Sequence, residues 1–207
     1  MLALLTVVAC SNQPRPDERQ PEDTAPKPTA SAVTGAAPPA FGGFPSVVIL
    51  EPEIPMEVPI RPILEEPADM DQYNTEFHPR LLLVRVGQTV RFKNSEDTLH
   101  NVHVIDIETN DTAFNVATPV IGAYEYVFEN ASVYDVSCGI HPSMAAFIVV
   151  TDSAFAVVAD NDGTFSLPQV PAGNYAATVW NLDPARRSKR IVVIDDAATE
   201  LNLDGMS

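Results

Sequence analysis

Residues 133–144 read VYDVSCGIHPSM. Val133-Tyr134-Asp135-Val136 carries a weak apolar–polar alternation, so 133–138 is read as a strand that ends in a loop before a second apolar run at 145–151. That loop holds the one cysteine in the body of the chain, with a histidine three residues on and a methionine three further. The surrounding punctuation is that of an all-β protein. Candidate strands at 81–86, 89–94, 101–107 and 123–128 are separated by Gly87-Gln88, Ser95-Glu96-Asp97 and Glu129-Asn130-Ala131-Ser132, all turn-prone groups. Val90, Phe92 and Asn94 alternate with Thr89, Arg91 and Lys93, as in a half-buried strand. No segment shows a convincing helical stripe, and 109–119 is the longest stretch without an assignment.

Beyond Thr151 the spacing tightens. Short strands are expected at 155–159, 164–167, 175–180, 190–194 and 199–203, with Asp162-Gly163 and Ala172-Gly173-Asn174 supplying the positive-φ positions of tight turns. Five such strands are few for an independent core. They are expected to pack on the preceding domain or to recruit 46–50, the run Ser46-Val47-Val48-Ile49-Leu50, as a further strand; in that case the preceding domain is an insertion within them.

The chain has 207 residues, 45% of them hydrophobic, enough for one large or two small cores. Its formal net charge of −16 argues against nucleic acid or an anionic lipid surface as partner and suits either solubility or electrostatic steering of a basic protein. Residues 1–10, MLALLTVVAC, form an apolar run too short to span a bilayer and read as the end of a secretory signal. Val-Val-Ala-Cys resembles the bacterial lipobox, which makes Cys10 the expected lipidation site. Ser11 after it resembles lipoproteins sent to the outer membrane. A hydrophilic, disordered, proline-rich tether is expected over 11–45. With Cys10 consumed by lipid, Cys138 has no disulfide partner in an oxidising compartment, so it is deeply buried, paired between chains, or bound to a metal.

A copper electron-transfer site uses a thiolate, two imidazoles and a weak axial thioether, a compromise between two oxidation states. Cys138, His141 and Met144 bring three of those groups into seven residues, and LHNVH, 99–103, supplies a histidine at a strand start. His103 lies three positions beyond His100 on that strand and so faces the other way. His78 is expected at the surface, and Met56 and Met70 are read as structural.

These segments resemble those of the cupredoxins. LHNVHV and YDVSCGIHPSM are similar to the two ligand-bearing segments of plastocyanins and amicyanins, with the short amicyanin spacing between His141 and Met144. MDQ (70–72), VGQTVRFKNSED (86–97) and IHPSM resemble cupredoxins of the methylamine-utilisation-like type, and DGTFSLPQVPAGNYAATVW (162–180) resembles the small carboxypeptidase-regulatory-like β-domain that often follows them. The likeness spans about 46–194. It implies a Greek-key cupredoxin sandwich over 46–151 and a small C-terminal β-sandwich-like domain over 152–207. It also implies one mononuclear type 1 copper held by His100, Cys138 and His141, with Met144 axial. Asn101 would tie the two ligand-bearing segments together near the sulfur. Where many relatives have a proline before the second histidine, this chain has Ile140, whose N–H is expected to donate to the thiolate.

Structural zinc would want more thiolates, a binuclear copper centre a second loop cysteine, and thiol catalysis by Cys138 with His141 an orienting acid and an oxyanion loop; none accompanies the motif. Asp160-Asn161-Asp162-Gly163 lacks the long loop and terminal glutamate of a calcium site. The expected function is therefore not enzymatic and takes no small-molecule substrate. It is a periplasmic, lipid-anchored blue copper protein on the outer membrane's periplasmic face, exchanging single electrons with a c-type cytochrome or dehydrogenase subunit. Gly139, Ile140, Pro142 and Ala145 would form its docking rim. The alternatives are a copper store, chaperone or sensor, and a surface-display protein with a vestigial metal loop.

Overall fold

The computed structural model describes residues 30–56, 62–64 and 67–205, so Cys10 and the signal-like run lie outside the described residues. The described chain is all-β apart from one turn of 3₁₀ helix at Pro184–Arg186. Strands β1 (Ala30–Ala36) and β2 (Val47–Pro52) come first. Then follow β3 (Ala68–Tyr73), β4 (Glu76–His78), β5 (Leu81–Arg85), β6 (Thr89–Asn94), β7 (His100–Asp106), β8 (Thr112–Thr118), β9 (Ala123–Val127), β10 (Ser132–Ser137) and β11 (Ala145–Thr151). The chain closes with β12 (Phe155–Val158), β13 (Thr164–Pro171), β14 (Gly173–Trp180), β15 (Ser188–Ile194) and β16 (Thr199–Asn202).

These strands form four sheets, ordered β4-β3-β6-β9, β5-β11-β10-β7-β8, β12-β2-β14-β15 and β13-β1-β16. The first two face each other as a Greek-key sandwich in which the chain passes repeatedly from one sheet to the other. Its core is built from alternate residues: Val90 and Phe92 from β6, Val102 and Val104 from β7, Tyr134 and Val136 from β10. The last two sheets enclose a second core around Val33, Leu50, Tyr175, Ala177 and Leu201.

Burial along β5 and β11 shows how the layers stack. All five residues of β5 are buried, because Leu82 and Val84 point into the sandwich core while Leu81 and Leu83 point to the other face. There they meet Val149, Val47, Phe44 and Trp180 in a third cluster, the seam between the two units. A half-exposed sheet alternates; one covered on both faces reads as a continuous apolar run, which is why LLLV and IVV stand unbroken. At about 1.5–3 kcal/mol for each large apolar side chain fully buried, the seam joins the units firmly.

One boundary differs from the sequence reading, and one alternative that it left open is taken up. Residues 30–36, assigned to a disordered tether over 11–45, form β1, the central strand between β13 and β16. Composition misled because a central strand between close neighbours wants small residues. A Cβ on Gly35 would lie 2.1 Å from the Leu201 carbonyl oxygen, so only glycine fits. The run at 46–50 becomes β2, which pairs with β12 and β14 of the C-terminal unit. The sandwich β3–β11 is thus inserted between β2 and β12, held by the second unit at both ends. Strands β3, β4 and β8 escaped the sequence reading. In β8 only Phe114 and Thr118 are fully buried, and in β3 the inward row includes Gln72, so neither shows clean alternation.

Candidate metal centre

Ser137, the last residue of β10, pairs with His103 of β7, so Cys138 and His100 leave neighbouring antiparallel strands at the same end of the sandwich. Both continue inward-facing rows: Tyr134, Val136 and Cys138 on one strand, His100, Val102 and Val104 on the other. His100 and Cys138 are 0% and 3% exposed. The loop after Cys138 folds back on itself, with the Met144 N–H donating to the His141 carbonyl (3.0 Å) and the Cys138 N–H to the Met144 carbonyl (3.4 Å). This turn brings His141 over the pair, its ring 4.7 Å from that of His100 at 57°.

Three potential donor atoms converge. Cys138 Sγ lies 4.0 Å from His100 Nδ1 and 3.8 Å from His141 Nδ1, and the two nitrogens are 3.0 Å apart. A point in their plane equidistant from all three lies about 2.1 Å from each, within the roughly 2.0–2.3 Å that nitrogen and sulfur ligands keep from a first-row ion. One thiol and two imidazoles at that spacing suit a soft trigonal site, and the residues present therefore fit a copper ion. Met144 is buried beside the triad, at 1% exposure, and His141 is partly exposed.

Asn101 stands where a tie between the segments is wanted. Its Oδ1 accepts the Gly139 N–H at 2.7 Å and the Cys138 thiol at 3.4 Å, and its Nδ2 donates to Asn115 Oδ1 at 2.9 Å. Among the described residues the Ile140 N–H makes no hydrogen bond to Cys138 Sγ. The tight turn into His141 leaves the Gly139 N–H, not the next one, facing the strand that carries Asn101, and the Ile140 side chain is 47% exposed. His103 faces outward and bonds Thr112 Oγ1 at 3.4 Å, and His78, at the surface, bonds the Tyr73 carbonyl at 3.1 Å.

Sequence reading missed Glu96. Its Oε2 lies 2.6 Å from His100 Nε2, the ring nitrogen turned away from the triad. Burial would push the Glu96 carboxyl up, but the hydrogen bond to His100 and the backbone N–H groups of Thr75 and Asn74 together hold it below its ordinary value. The signal available was an acid four residues before a histidine of the triad, one of two in the turn Ser95-Glu96-Asp97.

No family model matches the chain, and no curated protein matches it. Solved structures resemble parts of it. A purple cupredoxin from Nitrosopumilus maritimus covers 40% of this chain and 98% of its own, at 26% identity and a TM-score of 0.36. An amicyanin from Paracoccus versutus covers 44% of this chain and 91% of its own, at 22% identity and a TM-score of 0.38. A copper-containing nitrite reductase from Thermus scotoductus covers 47% of this chain but 25% of its own, at 26% identity and a TM-score of 0.38.

Proposed function

We propose that this chain is a one-electron carrier that holds a single copper ion with His100, Cys138 and His141 as strong ligands and Met144 as the weak axial one. The observation that carries the reading is the convergence of one sulfur and two ring nitrogens at one end of a rigid sandwich. Copper bound there would supply a one-electron couple between its two common oxidation states. The chain contributes constraint: two ligands stand on paired strands, the third on a loop tied by Asn101, so the donor set resists rearrangement when the valence changes.

Burial favours a carrier of electrons over a carrier of metal. A store or chaperone works by exchanging its ion, which calls for accessible ligands, whereas His100, Cys138 and Met144 are all nearly inaccessible. His141 is the partly exposed member, and around it stand Gly139, Ile140 and Pro142, all exposed. Leu99 and Ile121, 51% and 87% exposed, lie at the same end, because His100 pairs with Thr118 just before the turn that carries Ile121. This apolar rim would let a redox protein, a c-type cytochrome or a dehydrogenase subunit, approach the imidazole without displacing ordered charge. The acidic remainder would steer a basic partner. A lipid at Cys10 and residence in the periplasm on the outer membrane would complete the reading. Its support is the sequence pattern at 1–10.

The test is the optical and EPR spectrum of protein lacking Cys10 and loaded with Cu(II). An intense blue thiolate-to-copper band with narrow hyperfine splitting is expected, and Cys138→Ser abolishes it. A colourless protein with a wide-splitting signal would refute the reading.

A further inference from the structure

His100 is fully buried, yet both of its ring nitrogens are engaged. Nδ1 faces Cys138 and His141, and Nε2 faces the Glu96 carboxylate at 2.6 Å. Such closeness is typical of a charge-assisted bond. Glu96 sits in the turn between β6 and β7 with its side chain only 17% exposed. That turn is held by Asn94, 1% exposed, whose Nδ2 donates to the Thr98 carbonyl (2.7 Å) and the Thr118 carbonyl (2.9 Å) and whose Oδ1 accepts the Glu96 N–H (3.0 Å).

The second carboxylate oxygen is fixed from another direction. Glu96 Oε1 accepts the Thr75 N–H at 3.2 Å from the tip of the β3–β4 hairpin. Asn74 and Thr75 at that tip have φ of 55° and 52°. Asparagine tolerates this region, but a β-branched threonine there is strained and persists only where surroundings impose it. The backbone turn that places this N–H on Glu96 is therefore kept against local preference. Both oxygens and the backbone of Glu96 are anchored, and the one group they leave to be oriented is the imidazole of His100.

We infer that Glu96 is a positioning residue for the metal centre: its carboxylate, anchored by the β3–β4 hairpin tip, accepts the Nε2–H of His100 and thereby commits the Nδ1 lone pair to the triad. The partner on the outer nitrogen of a ligand histidine decides its tautomer and makes the ring a stronger donor. Extended to the ion, which rests on the copper reading above, a more basic imidazole favours the higher oxidation state and lowers the reduction potential.

Histidine-selective ¹⁵N NMR of the metal-free protein tests this. In the native chain, His100 should show a slowly exchanging proton coupled to Nε2 and an unprotonated Nδ1. Glu96→Ala should lose the slow proton to exchange, and Glu96→Gln, which keeps the shape but not the charge, should fall between. After copper loading, Cu(II) affinity should drop about 10–100-fold in Glu96→Ala, with a higher reduction potential and Gln again between. Thr75→Gly, which keeps the N–H and relaxes the turn, should behave as the native chain. Unchanged His100 ring signals in Glu96→Ala, or Gln matching the native chain in both signals and affinity, would overturn the inference while leaving the copper reading intact. If the native chain takes no copper, the functional reading fails, and the metal-free ring measurement still decides the role of Glu96.

Discussion

The two cores of this molecule differ in what they bury. The core enclosed by β12–β16 with β1 and β2 gathers apolar side chains around Val33, Leu50, Tyr175 and Ala177, and the Tyr175 hydroxyl donates to the Pro171 carbonyl at 2.8 Å. At one end of the inserted sandwich, by contrast, Gln72, Asn94, His100 and Thr118 are buried beside Cys138 and Met144. The Thr118 hydroxyl donates to Gln72 Oε1 and the Gln72 amide to the Lys93 carbonyl, both at 3.0 Å. Burying polar groups costs free energy unless each is bonded, so a core that concentrates them answers to more than stability. The other buried polar groups are spread out: Arg85, Gln88 and Thr151 lie at the far end of the sandwich, where the Arg85 N–H donates to Gln88 Oε1 at 3.1 Å. The Asn181 amide donates to Ser46 Oγ at 2.9 Å beside the paired strands β2 and β14, and the Ser153 hydroxyl donates to the Leu50 carbonyl at 2.6 Å where the chain re-enters the second unit. One unit is a mount; the other has a working end.

The sharpest way to break this contrast is to damage the seam. Trp180 is 5% exposed, packed on Phe147 at 5.3 Å, with Arg187 over its ring. Trp180→Ala should destabilise the protein by about 3–5 kcal/mol. The lower end is expected, since the indole Nε1 is buried without a hydrogen-bond partner among the described residues. Thermal denaturation should show the loss, while the blue band at 25 °C stays in place. If the band vanished with folding intact, the C-terminal unit would have to be counted as part of the metal site.

Asn94→Ala attacks the working end and should do the opposite. It leaves the Thr98 and Thr118 carbonyls and the Glu96 N–H without their side-chain partner, a cost of about 1–3 kcal/mol for each buried group left unsatisfied, partly relieved by water at the loop. Because this loop carries Glu96, metal affinity and the His100 ring signals should change even where the melting temperature shifts less than in Trp180→Ala. Isothermal titration with copper beside a melting curve separates the two variants. Equal ratios of affinity loss to stability loss would dissolve the distinction between mount and working end.

The working end was more legible in sequence than the mount. Cys138, His141 and His100 announce themselves because the residue types are rare here, two cysteines and four histidines in all, and their offsets match one chemistry. Met70, set down as structural, is indeed buried in the sandwich core. What the sequence hides is whatever depends on direction. Ile140 and Gly139 both offer an N–H after the cysteine, and only the folded turn selects Gly139 for Asn101. Glu96 and Asp97 are equivalent until the hairpin tip of β3–β4, remote in sequence, reaches one of them. Strand β1 is hidden for the converse reason: its partners β13 and β16 lie far along the chain, and a strand paired on both sides needs little more than Val33 to be buried.

A last and smaller effect should separate surface from core within the sandwich itself. On the solvent side of β3 and β6, Asp69 takes Arg91 through Nε at 2.8 Å and through a terminal nitrogen at 3.1 Å, and Lys93 Nζ at 2.8 Å. The hydrogen bond from Arg91 is the main cause that holds the Asp69 carboxyl below its ordinary value; partial burial opposes it, and Lys93 adds to the depression. A carboxylate depressed in the folded state contributes stability above its unfolded pKa, about 3.9, and that contribution is lost as pH falls through the lower folded value. Side-chain exposure of 36% for Asp69 and 37% for Arg91 leaves the pair open to salt, so the contribution should be modest and fade at high ionic strength. Asp69→Asn should therefore weaken the protein slightly at pH 7, converge with the native chain in acid below the folded value, and leave the copper spectrum at pH 7 untouched. Urea denaturation at the two pH values, repeated in high salt, measures this. An Asp69→Asn variant more stable than the native chain at pH 7, with the gap closing in acid, would show that burial of this carboxylate outweighs its cations.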